Sequence, residues 1–178
     1  MLIPRMFAPD LTLRTLDHGD FDLTQEAPAF MTLACFYRGL HCPVCGSYLK
    51  ELERLTPSFA ERGVSTIAIS SDTEERARQM ADKIGAGQLR IGYGLLLSVA
   101  KQWGLYISTS RGRTSIGIEE PELFSEPGVF LIRPDQSIYW LSVQSMPFAR
   151  PNFSEMVQAL DFVMKNDYPA RGEYTGAV

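Results

Sequence analysis

The sequence predicts an α/β domain: a central mixed sheet of about five strands flanked by helices, preceded by a short amino-terminal β-ribbon. Three observations carry this. Phe30 to Tyr37 is a nearly continuous apolar run, as expected of a strand buried on both faces. A stretch of helical period follows, with Leu49, Leu52, Leu55 and Phe59 on one face. Val64 to Ser70 is a second strand-like run rich in β-branched residues. Strand, helix and strand in that order make a βαβ unit with a right-handed crossover, and sites in such sheets lie at the carboxyl ends of the strands.

The chain has 178 residues, which fits one domain over 1–178 with residues 166–178 as an extended tail. A net charge of −4 argues against non-specific binding to nucleic acid or to anionic membranes. Three cysteines are too few, and odd in number, for a disulfide framework, so a reducing, cytoplasmic compartment is expected. Met1 to Met6 lacks the charged segment and long apolar core of a signal peptide. No apolar run approaches the ~18–20 residues that span a bilayer.

Each element has its own signal. Leu11, Leu13 and Leu16 alternate with polar residues, Asp17-His18-Gly19-Asp20 is turn chemistry, and Phe21-Asp22-Leu23 alternates back, giving a ribbon over 7–23. The first long helix should span Val44 to Arg62, end at Gly63 and kink near Pro57. Ser71-Asp72-Thr73 should cap a second helix reaching Ile84, with Glu74 and Glu75 in its first turn. Leu89 to Tyr93 reads as a short extended piece and Leu95 to Trp103 as a short helix stopped by Gly104. Residues 105–127 show no period and read as a long loop, in which Arg111 and Arg113 are either surface cations or contacts for a substrate or partner. Gly128 to Ile132 and Ile138 to Val143 form a hairpin around Pro134-Asp135-Gln136-Ser137. A last helix runs from Phe153 to Lys165, capped by Asn152 or Ser154.

The chemistry concentrates at Cys42-Pro43-Val44-Cys45, where the first apolar strand meets the first helix. A helix amino terminus carries unpaired N–H groups and a partial positive charge, which stabilise a thiolate there. Pro43 suits the first turn, where its missing N–H costs nothing. Cys42 is expected at the N-cap with its sulfur facing solvent, and Cys45 one turn further in and more shielded. Cys42 then attacks and Cys45 resolves. A zinc half-site would need a second spaced pair of ligands, and only Cys35, His18 and His41 remain, so no metal and no cofactor is expected. Cys35, inside the first apolar strand, reads as a small core residue. His41, if protonated, would lower the Cys42 pKa, and Arg38 is a second electrostatic helper or else a structural turn residue.

These residues resemble the thioredoxin-fold superfamily, in its alkyl hydroperoxide reductase / thiol-specific antioxidant (peroxiredoxin-like) branch. The resemblance rests on Phe36-Tyr37-Arg38-Gly39, Cys42-Pro43-Val44-Cys45, Ala68-Ile69-Ser70-Ser71-Asp72, Pro127-Gly128-Val129-Phe130-Leu131-Ile132 and Pro134-Asp135, and covers residues 7–165. It implies a thioredoxin-like fold and thiol redox chemistry of one of two kinds. Peroxiredoxins have Thr, Pro, any residue, Cys at the motif, a match that would make Cys45 the peroxide-attacking residue and put Cys42 at the threonine position. They also carry an arginine before the strand starting here at Gly128, where this chain has Pro127; Arg38, Arg111 or Arg150 would have to replace it in space. Thioredoxins look similar at Pro127, with a cis proline against the dithiol, which implies a cis Glu126–Pro127 bond touching Cys42.

The reading is thus a redox enzyme using Cys42 and Cys45 for thiol–disulfide exchange. The alternatives are a hydroperoxide reductase with Cys45 or Cys42 forming a sulfenic acid, and a redox-sensing binding module without turnover. Expected partners are a thiol or disulfide protein or a small hydroperoxide, and a thioredoxin- or glutathione-type reductant, with no nucleic acid and no membrane; a homodimer is left open.

Overall fold

The structure is a computed structural model describing residues 1–177. A single sheet organises it. β3 (Met31–Phe36) is central and buried at every position, as its unbroken apolar sequence requires. It pairs in parallel with β4 (Val64–Ile69), through the crossover helix α1 (Pro43–Glu61), and antiparallel with β8 (Gly128–Ile132). β5 (Arg90–Tyr93) continues the parallel side beyond β4, and β9 (Ile138–Val143) forms the hairpin edge beyond β8.

The sheet has seven strands, not about five, because the amino-terminal ribbon is part of it. β1 (Thr12–Thr15) and β2 (Asp20–Asp22) pair with each other, and β1 also pairs antiparallel with β5. Gly92 on β5 permits this, because a methyl group there would overlap the Leu13 side chain. The order is β2-β1-β5-β4-β3-β8-β9.

Apolar residues fill both faces. On one, α1 packs with α2 (Glu74–Ile84) and α4 (Phe153–Asn166) over Leu33, Cys35 and Leu131. On the other, α3 (Leu97–Gln102) brings Ala100, followed by Trp103, onto Phe36 and Phe130, with the Trp103 and Phe130 rings edge to face at 4.9 Å. The expected caps are present: Thr73 Oγ1 accepts from Arg76 N, and Asn152 Oδ1 accepts from Glu155 N at 3.0 Å. α1 extends through Pro57 as one helical segment, and Gly63, at φ 69°, turns the chain into β4.

Residues 105–127 are not simply a loop. β6 (Ile107–Thr109) and β7 (Leu123–Ser125) pair antiparallel, and Arg113 bridges to Glu119 within the connection between them. Arms of three residues are too short for an alternating pattern to show in the sequence. After α4, residues 167–177 carry no helix or strand, and the last residue of the expected tail, Val178, lies outside the described residues. Among the described residues no helix is long and apolar enough to cross a membrane.

Candidate active site

The cysteine pair stands where β3 hands over to α1. Cys42 is the N-cap, in an extended conformation, and makes no side-chain capping bond; Pro43 takes the first helical position. No acidic residue stands in the first turn. The helix start therefore keeps its free N–H groups and its positive end.

The turn leading to Cys42 is held from behind. Asp72, buried at the end of β4, accepts a hydrogen bond from Leu40 N at 2.8 Å and pairs with Arg76 Nε at 3.2 Å. Gly39 adopts φ 134°, and a Cβ on it would lie 2.8 Å from Asp72 Oδ1. Only glycine fits both that dihedral and that contact.

Both sulfurs are enclosed: Cys42 and Cys45 each have 0% exposure. This corrects the expectation that the Cys42 sulfur faces solvent. The reason lies about a hundred residues further along the chain. The Arg150 side chain, from the segment between β9 and α4, reaches over the pair, with Nη2 at 3.1 Å from Cys45 Sγ and 3.7 Å from Cys42 Sγ. Its guanidinium stacks over Tyr48 at 4.9 Å, and the Tyr48 hydroxyl donates to Pro151 O at 2.8 Å. Arg150 Nε donates to Pro147 O, while Nη1 is buried with no hydrogen-bond partner. The enclosure is thus not wholly apolar: a cation with a spare donor faces the sulfurs.

The two thiols divide in acidity. The Cys42 pKa falls from 9.0 to about 6; the Cys45 thiol as hydrogen-bond partner contributes most, burial opposes, and Arg150 and then Arg38 add cationic help. Burial pushes the Cys45 thiol up, with Cys42 reinforcing and Arg150 opposing. Arg150 lies closer to Cys45 than to Cys42, which by itself would put the charge on Cys45. The desolvation of Cys45, one turn inside the helix, outweighs that nearness, so the charge rests on Cys42. Cys35 is buried in β3, and burial raises its pKa to about 12, consistent with an inert core thiol.

The other expected site residues fall differently. Glu126–Pro127 is trans, since no peptide bond among the described residues is cis, and the expected cis proline is corrected. His41 is packed against Phe124, ring centroids 4.6 Å apart, and neither ring nitrogen has a partner. Burial, reinforced by the nearby Arg38 and Arg76 cations, lowers its pKa from 6.5 to about 4, so a protonated His41 does not assist Cys42 near neutral pH. Arg38 pairs with Glu126 at 3.3 Å and Glu120 at 3.5 Å and lies 4.6 Å over the Phe124 ring. Arg111 and Arg113 are exposed on the β6–β7 connection, Arg113 beside Glu119 at 3.7 Å. Of the three arginines expected to replace the one missing at Pro127, Arg150 alone contacts the sulfurs. Its placement just before the last helix gives no local sequence signal of that role.

Comparison with known proteins agrees with this architecture. The chain is 28% identical over 130 residues to a 1-Cys peroxiredoxin of Dirofilaria immitis; the match covers 67% of the chain and 55% of that protein, so the chain spans about half the relative's length. Among solved structures it is similar to the peroxidoxin BcpB of Mycobacterium tuberculosis, with TM-score 0.69, 19% identity and coverage of 90% and 96% of the two chains. It is also similar to the reduced 2-Cys peroxiredoxin of Plasmodium vivax, with TM-score 0.72, 18% identity and coverage of 100% and 92%. These likenesses show the thioredoxin-like fold expected from the motif. The AhpC/TSA family matches residues 4–141, more than three quarters of the sequence, and the chain belongs to that family.

Proposed function

We propose that the protein is a thiol-dependent hydroperoxide reductase in which Cys42 attacks the peroxide and Cys45 resolves the product. The observation that carries this is the Arg150 guanidinium, which touches both sulfurs and keeps Nη1 free in a buried place. A developing oxyanion beside a desolvated, preplaced cation is stabilised far more than in water.

The Cys42 thiolate attacks the terminal oxygen of ROOH. The O–O bond breaks, the RO fragment leaves with the electron pair and takes a proton to become ROH, and Cys42 becomes a sulfenic acid. The Cys45 sulfur then attacks the Cys42 sulfur; the S–O bond breaks, water leaves and the Cys42–Cys45 disulfide remains. A thioredoxin-type dithiol, or two equivalents of a glutathione-type monothiol, returns both thiols by exchange and is itself left as the disulfide. Two sulfurs with no exposure favour a small oxidant over a protein disulfide, and a trans Pro127 removes the main support for a thioredoxin-like exchanger. The cytoplasm is the compartment this chemistry suits.

A second reading keeps the peroxiredoxin motif match, with Cys45 attacking, and is favoured by the shorter Arg150 contact to Cys45. One experiment separates the readings. Peroxide is added to Cys42→Ser and Cys45→Ser variants and the sulfenic acid is trapped. Trapping in Cys45→Ser alone supports the first reading, and in Cys42→Ser alone the second. Reduction of a protein disulfide without peroxide consumption would establish the exchanger instead. Neither activity would leave a redox-sensing module.

A further inference from the structure

A second set of charged groups gathers on the turn that leads into the reactive helix end. Arg38 precedes Cys42 by one turn of chain, and two carboxylates from the β6–β7 region converge on its guanidinium. Glu126 Oε2 lies 3.3 Å from Nε and Glu120 Oε1 3.5 Å from Nη2, and the three side chains are only 4%, 7% and 13% exposed for Glu126, Glu120 and Arg38. Neither carboxylate is loose. Glu126 Oε1 accepts from the Ser108 hydroxyl at 2.6 Å, and Glu120 Oε2 accepts from Arg111 N at 2.7 Å. Phe124 floors the cluster, with Arg38 over its ring and His41 against it.

Two buried carboxylates on one guanidinium are more than its charge requires. Interactions among buried charges are strong, so nature and placement of each counts. Arg150 differs: among the described residues it has no carboxylate within ion-pairing distance, and it keeps a donor free. The reactive end therefore has one carboxylate-paired cation, Arg38, in the turn before it and one cation on its sulfurs, Arg150, with no carboxylate partner among the described residues. Negative charge that develops on the sulfurs is drawn to Arg150 more strongly than to Arg38.

We propose that Glu126 and Glu120 are positioning residues that act on the Cys42 sulfur through Arg38, pinning its guanidinium beside the turn and offsetting part of its charge, so that Arg150 carries the larger share of the reacting anion. The proposal rests on Cys42 being the attacking thiolate. The charged and titratable groups acting on Cys42 are Cys45 from α1, Arg150 from the segment before α4 and Arg38 from the turn; those around Arg38 and the neighbouring His41 are Glu120, Glu126 and the Asp72–Arg76 pair. His41 stays neutral through the range in which Cys42 titrates, so it does not mimic the effect.

The test is a pH titration of the ultraviolet thiolate absorbance, taken as the difference between the reduced protein and its Cys42→Ser form. The same difference is measured on backgrounds carrying Glu126→Gln, Arg38→Met or Arg38→Lys. Glu126→Gln unmasks the cation and should lower the Cys42 midpoint by about half a unit, roughly a threefold gain in thiolate below the midpoint. Arg38→Met should raise it, and Arg38→Lys, which keeps the charge, should restore it. If Glu126→Gln does not fold, Glu120→Gln carries the same expected sign on the same guanidinium. A folded Gln variant whose midpoint stays or rises overturns the proposal, as does Arg38→Lys shifted as far as Arg38→Met, which marks a purely structural clamp. A midpoint near 9 in the unmodified protein would instead overturn the assignment of Cys42 as nucleophile; a low midpoint indifferent to these substitutions overturns this inference alone.

Discussion

Two strand-to-helix turns lie side by side at the carboxyl edge of the parallel strands, and they end differently. At β4–α2 the helix start is finished conventionally: Thr73 accepts from Arg76 N, and Glu74 and Glu75 meet the positive end of the helix. At β3–α1 the N-cap is Cys42, with no side-chain capping bond and no acid in the first turn. The first turn is built for stability. The second forgoes a cap and leaves its N–H groups for a sulfur anion. Burial marks the same contrast: Thr73, Glu74 and Glu75 are exposed, whereas His41, Cys42 and Cys45 are enclosed.

The comparison breaks most severely at Cys42. Cys42→Ser should lose peroxide consumption down to background in a coupled thiol assay, while far-ultraviolet circular dichroism stays unchanged. Arg150→Met comes next. Removing a cation in contact with both sulfurs should raise the Cys42 midpoint by about one unit or more, lowering the rate at pH 6 about fivefold or more; a rate profile against pH reads this directly.

Stability should carry the same signature. The folded Cys42 pKa is about 6 against an ordinary 9.0, so the unfolded chain binds more protons between those values. The thiolate contribution is fully present above about pH 9 and is lost as pH falls through about 6. Across that window the reduced protein should gain denaturant resistance relative to Cys42→Ser as pH rises. Cys45, whose pKa is raised, acts in the opposite sense only above its ordinary value. The smallest effect belongs to the conventional turn: Thr73→Ala should cost about 1 kcal/mol in urea unfolding and leave the peroxide rate alone.

Much of the scaffold was legible because long, periodic segments announce themselves. The unbroken run before the motif, the leucine face of α1 and the Pro134–Ser137 turn each placed an element to within a few residues. The cysteine pair was equally plain, since its position at a strand-to-helix turn follows from local pattern. What escaped is long-range. Arg150 meets the sulfurs only because α4 folds back against α1, and a lone arginine between two prolines gives no local sign of that. The burial of His41 depends on Phe124, more than eighty residues later in the chain. Pro127 misled because its place in sequence, opening a strand after the motif, is shared by proteins with either peptide geometry. The ribbon was seen but not its docking on β5, which turned on the missing side chain of Gly92.

Gly39 has a consequence for anyone mapping this protein by saturation mutagenesis. It holds no proton, charge or nucleophile, yet every replacement must both tolerate φ 134° and displace the Asp72 carboxylate from Leu40 N. Position 39 would therefore score as intolerant as the cysteines themselves. An activity screen alone would rank it among the reacting groups, and only a parallel abundance screen would show that its part is to aim them.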